Sequence, residues 1–342
     1  MNMRKDIHMR GGLDRRQVIL GLGATAAVIA SPGILRAQAP VTLNGAVQFN
    51  DDHAFTKALV RFEERVKALY GKPVNFNLHK NSSLGLEKQY FEYMAQGRAV
   101  DYAIVSPAHM STFARAAPFI DAPFVFRDVD HMGKVVKANV LKPIEDEVER
   151  RAGVRLIGHA GGGTRNIFAN KPFKNMAEMR GLKIRVQGAP IWSRTFAAAG
   201  MSPTVIAYNE VYNAIQNGVI QAGENEAAGV EAMKFYEVAP NLVLTQHAVS
   251  IRPICFSMKM LATLPKDLQD AIIAAGSEAG EYGRQVESGE DSAKLETLEK
   301  AGRLKRIAFE ERDAMKKATD PVMAAYAKEI GAEAIFSSVS SV

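Results

Sequence analysis

The 342-residue chain has one cysteine, Cys255, and one tryptophan, Trp192. A single cysteine closes no internal disulfide, and it excludes haem attachment and cysteine-rich metal sites. The histidines His53, His79, His109, His131, His159 and His247 are scattered, with no H-E-x-x-H and no pair at a metal-ligand spacing. No G-x-S-x-G nucleophile elbow occurs. "HAGGGTR" (159–165) lacks both the spacing and the lysine of a phosphate loop, so it is expected to form a flexible turn between lobes. "GLGATA" (21–26) fits G-x-G-x-x-A, but no strand precedes it, and it is not a dinucleotide site. No catalytic group, cofactor or metal is therefore expected. Beyond the N-terminus no apolar run is long enough to span a bilayer. No stretch rich in proline, glycine or serine separates one domain from the next.

An excess of positive charge is present, but its position removes most of its meaning. Forty-three Lys and Arg face 37 Asp and Glu, a net of +6. Residues 1–39 alone carry six of the bases and two of the acids. That stretch reads as an export signal: a basic start, a mildly apolar run from Val18 to Ala30, and an A-x-A site at Ala37 and Ala39. Arg15 and Arg16 in "DRRQVIL" favour the twin-arginine route, although Asp14 and Val18 are not the pair's usual neighbours. Cleavage after Ala39 leaves 37 bases against 35 acids, a net of +2. That balance gives no case for a nucleic-acid partner.

The rest of the chain alternates strand and helix patterns. "VTLNGAVQF" (41–49), "PVNFNLHK" (73–80) and "VDYAIVS" (100–106) read as strands. Between them lie two amphipathic helices, the first with Phe55, Leu59, Phe62, Val66 and Leu69 at helical spacing and Gly71 as its stop. The order β-α-β-α-β implies an open, mainly parallel sheet, in which ligands bind beyond the carboxyl ends of the strands. The pattern recurs after "GVRLIGHA", with Asn209 expected to cap the helix "EVYNAIQNG". A long helical stretch from about Pro265 to Lys300 can brace two lobes. "DPVMAAYAKEIG" reads as the last helix and "SSVSSV" as a frayed tail. The fold class is thus α/β, two lobes joined by several crossings, a hinged clamp around a cleft.

Candidate binding residues are polar. In "GLKIRVQ" (181–187), Leu182, Ile184 and Val186 alternate with Lys183, Arg185 and Gln187, which sets an arginine on the polar face of a strand. Arg165 follows the glycine run twenty residues earlier. A guanidinium is planar, always charged, and matches a carboxylate in bidentate fashion. Taken singly, either arginine is as well explained by a solvated face or a structural ion pair. Asn225 in "AGENEAAG" can donate and accept from a loop, or can simply make a turn. Trp192 and Tyr208 can form pocket walls or pack in the core. Glu87 sits at a helix N-terminus, where the helix dipole alone accounts for an acid.

The ordered set "SSLGLEKQYFEYMAQGRAVDYAIVS", "APFVF", "GGTRNIFANKP", "MRGLKIRVQ", "AYNEVYNAIQNGVIQAGENE", "KFYEV" and "LTQHAV" resembles the solute-binding proteins of TRAP transporters, over about residues 41–335. The resemblance implies a periplasmic-binding-protein-like clamp, each lobe a mixed, mainly parallel sheet flanked by helices, with a long helix bridging both. It implies lobes of 40–162 plus about 251–290, and 163–250 plus about 291–342. It implies a cleft that closes on one small organic acid, with the carboxylate held by Arg185 and with Arg165, Asn225 and Tyr208 lining the pocket. From the first lobe it implies Gln48, Glu87 and Ser106. Glu226 stands where the family usually has proline, and Ser106 stands where some sialic-acid binders carry an acid, so sialic acid fits less well. Trp192 is not a general family feature and is a candidate for this protein's own ligand.

The implied function is capture of an organic acid in the periplasm and delivery to the transporter's membrane subunits. C4-dicarboxylates, sugar acids, and oxo or aromatic acids remain open, with the polar candidates leaning toward a hydroxylated acid. An exported enzyme acting on a hydroxy acid, or a binding protein of another transporter class, are the alternatives.

Overall fold

The computed structural model describes residues 40–342. The expected export signal and the "GLGATA" stretch lie outside the described residues. Nine strands form one sheet: β1 (Val41–Ala46), β2 (Val74–His79), β3 (Tyr102–Ile104), β4 (Val154–Ala169), β5 (Lys183–Val186), β6 (Ser202–Val205), β7 (Ala222–Asn225), β8 (Asn241–Ser257) and β9 (Lys305–Ala308). The helices are α1 (Ala54–Tyr70), α2 (Glu87–Gln96), α3 (Val129–Lys137), α4 (Lys142–Ala152), α5 (Met176–Met179), α6 (Pro190–Ala198), α7 (Val211–Gln216), α8 (Ala227–Ala232), α9 (Met258–Leu261), α10 (Lys266–Lys300), α11 (Arg312–Ile330) and α12 (Glu333–Ser341).

The strand order is β2-β1-β3-β8-β4-β7-β5-β6, with β9 beside β8. At one end β1 runs parallel to β2 and β3, and at the other β5 runs parallel to β6 and β7. Between these parallel groups, β4 and β8 form a long antiparallel ribbon that belongs to both. Val154–Gly161 pairs with the second half of β8, beside β3, and Thr164–Ala169 pairs with its first half, beside β7. The register shifts between Gly161 and Thr164, and again between Arg165 and Ile167. Two continuous strands thus pass through both lobes, with their irregularity where the lobes meet.

Each local element has a visible cause. Helix α1 starts where His53 Nδ1 accepts a hydrogen bond from Phe55 N (3.2 Å) and ends at Gly71 in a left-handed conformation. Its Phe55, Leu59, Phe62 and Val66 are buried, while Leu69, in the last turn, stays 43% exposed. One apolar core lies under α1 and the first half of α10, and a second lies under α7, α8 and the end of α10. A third runs along the opposite face of the sheet and takes in α2, α4, α6, α11 and α12. The 35-residue helix α10 packs on β4, α1 and α8, and so braces both lobes as expected.

Four local expectations are corrected. The glycine run 161–163 is not a turn; it lies inside β4 and is buried. Glycine is needed there because α10 crosses the strand almost backbone to backbone. A Cβ at Gly158 would lie 1.9 Å from the Gly276 carbonyl oxygen, and Gly162 has φ +115° against the backbone of Arg284. Asn209 does not cap α7: residues 208–210 form a 3-10 turn, and Glu210 holds the cap position. The helix expected at "DPVMAAYAKEIG" begins earlier, at Arg312. The tail is not frayed but helical, with Val339 buried and its carbonyl 2.8 Å from His131 Nε2. Amphipathic spacing over so short a segment becomes readable only when its landing surface is known. No helix among the described residues is long and apolar enough to cross a membrane.

Candidate functional site

The carboxyl ends of two parallel strand pairs, β1 with β3 and β5 with β7, point toward each other across one cavity of about 350 Å³, part of it open to solvent. Gln48 follows β1, Ser106 follows β3, Arg185 and Gln187 end β5, and Asn225 closes β7. The β4–β8 ribbon adds Arg165 and Arg252, and the first turn of α2 adds Glu87. Strand polarity explains the convergence: in open α/β sheets the crevice lies beyond the strand carboxyl ends, where the chain leaves for a helix.

Seven of the eight expected residues line this cavity: Gln48, Glu87, Ser106, Arg165, Arg185, Tyr208 and Asn225. Trp192 does not. It is fully buried behind the wall, 5.5 Å below the Arg165 guanidinium and packed beside Phe196 and His247. Its place on the core-facing side of α6 directs the ring into the apolar layer, so it supports an arginine instead of meeting the cavity.

The protein takes up four of the five N–H donors of Arg165. Its Nε donates to Glu224 Oε2 (2.7 Å), Nη2 donates to Glu224 Oε1 (3.0 Å) and to the Glu224 carbonyl (3.1 Å), and Nη1 donates to Glu226. Burial works against its charge, but Glu224 and Glu226 outweigh it and raise its pKa above the usual arginine value. Burial likewise opposes the charge of Glu224, yet Arg165 wins and pulls its pKa down to about 2. The Glu226 that replaces a proline is therefore a partner of Arg165.

Arg185 is equally buried and differently placed. Its Nε donates to the Ile206 carbonyl (2.9 Å), and its guanidinium lies 5.4 Å from the centre of the Tyr208 ring. Among the described residues it forms no ion pair with a carboxylate. Burial accordingly pulls its pKa down, against partial support from Glu224. Asn225 Nδ2 donates to the Tyr208 hydroxyl (2.6 Å), which leaves the Tyr208 proton for another acceptor.

The facing wall mixes signs. Arg252 Nη1 donates to Asp121 Oδ2 (3.3 Å) and to the Ile251 carbonyl (3.0 Å), while its buried Nε has no partner among the described residues. Burial raises the Asp121 pKa to about 6 and also raises that of Glu87, which accepts a hydrogen bond from Ser106 N (2.5 Å). The Ser106 hydroxyl donates to Asp121 Oδ2 (2.9 Å) and lies 2.7 Å from the Gln187 carboxamide, bridging the lobes. With one hydroxyl proton, both contacts are satisfied when Gln187 presents its NH2, which also pairs that otherwise unpartnered group. His109 is half-buried, and desolvation together with the charges of Arg185 and Arg252 lowers its pKa to about 3, so it is neutral.

A family profile described as bacterial extracellular solute-binding protein, family 7, matches residues 45–329. The chain belongs to that family, the solute-binding proteins of TRAP transporters. It is 48% identical over 314 residues to a solute-binding protein of Sulfitobacter sp. (strain NAS-14.1), covering 92% of this chain and 95% of the relative. A crystal structure of a TRAP periplasmic solute-binding protein from Sulfitobacter sp. NAS-14.1, with bound α-D-taluronate, aligns with TM-score 0.86 at 47% identity. That alignment covers 88% of this chain and 97% of the other. A second, from Roseobacter denitrificans with bound L-galactonate, aligns with TM-score 0.80 at 27% identity over 87% and 98%. Both expected features of the fold, two lobes and a flanked, mainly parallel sheet, are those of this family.

As lining residues the sequence reading missed Gln187, Arg252, His109, Phe49, Phe55 and Glu226, the last noted only as a departure from the family pattern. Gln187 was legible, since it continues the polar alternation of Lys183 and Arg185. Arg252 carried a signal too: a lone charge inside the apolar run "AVSIRPICF". His109, Phe49 and Phe55 have no local mark that separates them from core residues.

Proposed function

We propose that this TRAP solute-binding protein captures a polyhydroxy monocarboxylic acid, of the hexuronate or hexonate class, and holds its carboxylate on Arg185. The protein would act in the periplasm after export by residues 1–39 and deliver its ligand to the transporter's membrane subunits. The lobes 40–162 plus about 251–290, and 163–250 plus about 291–342, would close over it.

The observation that carries this reading is charge balance. Three arginines reach the cavity; Arg165 pairs with Glu224 and Glu226, Arg252 pairs with Asp121, and Arg185 is in no ion pair among the described residues, with Glu224 and Glu87 acting on it only from beyond ion-pair distance. One unmatched guanidinium suits one carboxylate, in a charge-assisted bidentate contact. A second carboxylate, as in a C4-dicarboxylic acid, would have to share Arg252, already paired with Asp121, in a cavity that Glu87 and Glu226 also line. Those acids, with Ser106, Gln48 and Gln187, instead suit hydroxyl groups, which donate and accept. The sugar acids bound in the Sulfitobacter and Roseobacter structures support the same class.

Thermal denaturation of the exported protein with a panel of acids tests this. Hexuronates or hexonates should raise the melting temperature, a ligand at a hundredfold its Kd contributing about 2.7 kcal/mol. Succinate and malate should not. A shift with the dicarboxylates alone removes the proposal.

A further inference from the structure

The polar cavity shares part of its wall with a second space. Gln48, His109, Arg185 and Tyr208 line both. The second space encloses about 850 Å³, part of it open to solvent. Its own walls are mostly apolar: Leu86 and Ala108 line it from one lobe, and Val205, Ile206 and Ala207 from the other, with Lys88, Ser111 and Thr112 as its polar part. Val205 is 58% exposed, the most exposed large hydrophobic side chain among the described residues. Apolar surface contributed by both lobes and left facing water marks a place where an apolar group is covered.

Arg185 stands at the boundary. Its Nε donates to the Ile206 carbonyl, so the backbone of the apolar wall itself positions the guanidinium. A carboxylate on Arg185 brings the carbons near it to the edge of the apolar space. The far end of a six-carbon acid then lies among the buried lining residues of the inner cavity, which include Arg252, Phe55 and Glu226.

We infer that the apolar space is a second subsite, which takes an apolar substituent carried near the carboxylate end of the ligand, as in an O-alkylated sugar acid. The inference rests on the sugar-acid reading above. The polar groups that read hydroxyls are in the inner cavity, and the outer one offers a substituent contact without requiring hydrogen bonds from it.

Calorimetric titration separates the two readings. D-Galacturonate, D-glucuronate and D-taluronate are titrated into the exported protein, each beside its 4-O-methyl ether and its phenyl glycoside. The parent acid that binds best should keep its Kd within about threefold, or tighten, on 4-O-methylation. A phenyl group at C1, the buried end, should weaken it at least about a hundredfold. Ala207→Trp, at an exposed position, fills the outer space and should weaken the ether at least about tenfold more than the parent. Val205→Asp, also exposed, should weaken the ether selectively by about threefold or more. The subsite is overturned, with the sugar-acid reading intact, by any of three results: a loss above about tenfold on 4-O-methylation, tolerance of the phenyl glycoside, or equal weakening of ether and parent by both substitutions. Failure of all three parent acids to bind removes the sugar-acid reading and the subsite with it.

Discussion

Arg165 and Arg185 share one cavity, and both are buried over an aromatic ring, at 5.5 Å from Trp192 and 5.4 Å from Tyr208. They differ in what answers their charge. Arg165 is enclosed by two carboxylates, while Arg185 has a backbone carbonyl. Burial and an aromatic platform therefore do not identify an anchor. The unmatched charge does, because a buried guanidinium without a counter-ion stays costly until a ligand supplies one.

The sharpest way to break this comparison is to remove each charge in turn. Arg165→Met strands Glu224 and Glu226 in the core and should cost about 3–5 kcal/mol of ligand-free stability. Arg185→Met leaves no carboxylate unpaired, only the Ile206 carbonyl without its donor, and should change ligand-free stability by no more than about 1.5 kcal/mol, while ligand affinity falls by about 2–5 kcal/mol. Urea unfolding without ligand and calorimetry with the cognate acid read the two quantities. If both substitutions destabilise the ligand-free protein alike, the distinction is lost.

A second contrast concerns pH. Burial raises Asp121 and Asp291 to about 6 and Glu145 to about 7, so the native state holds protons there that the unfolded chain, titrating near pH 4, has released. The contribution of these carboxyls should therefore rise as pH falls from about 7 toward 4.5, while desolvated His53, His109 and His159, lowered to about 3, 3 and 4, contribute with the opposite sign over the same window. Glu224, held at about 2 by Arg165, acts in the opposite sense: its contribution is present above its unfolded pKa of 4.5 and is lost as pH falls toward 2. The melting temperature of the wild type relative to Asp121→Asn should be higher at pH 4.5 than at pH 7, because only the wild type takes up a proton there. A difference that stays constant, or grows toward pH 7, contradicts it.

The smallest effect sharpens the role of Trp192. Because the ring sits under Arg165 and outside the cavity, Trp192→Phe should lower the unfolding free energy by about 1–2 kcal/mol through lost packing. Ligand affinity should stay within about threefold. A tenfold loss of affinity with unchanged stability would return the ring to the pocket.

Much of the fold was legible because its signals are local. Period-two alternation marked β5, helical spacing and a capping glycine marked α1, and the length of the polar-apolar pattern marked α10. The glycine run misled because glycine means either a turn or a close approach, and only the crossing of Gly158 by Gly276 distinguishes them. The tail misled because its helix is stabilised by a surface contributed by His131 and Phe119. Among candidate site residues, those at strand ends were legible and Gln187 should have been. Arg252 and His109 come from segments whose meaning depends on what lies across the cleft.

By itself the sequence determined the alternation of the main strands and helices, though not β7 or β9, the polar face that carries Arg185, and membership of the family. Those depend on periodicities and motifs within a few residues of one another. The pairing of Arg165 with Glu224 and Glu226, the solitude of Arg185, and the withdrawal of Trp192 behind the wall were decided only in three dimensions. Each joins residues about twenty to sixty positions apart, and burial, which makes an unmatched charge matter, exists only once the chain has closed around it.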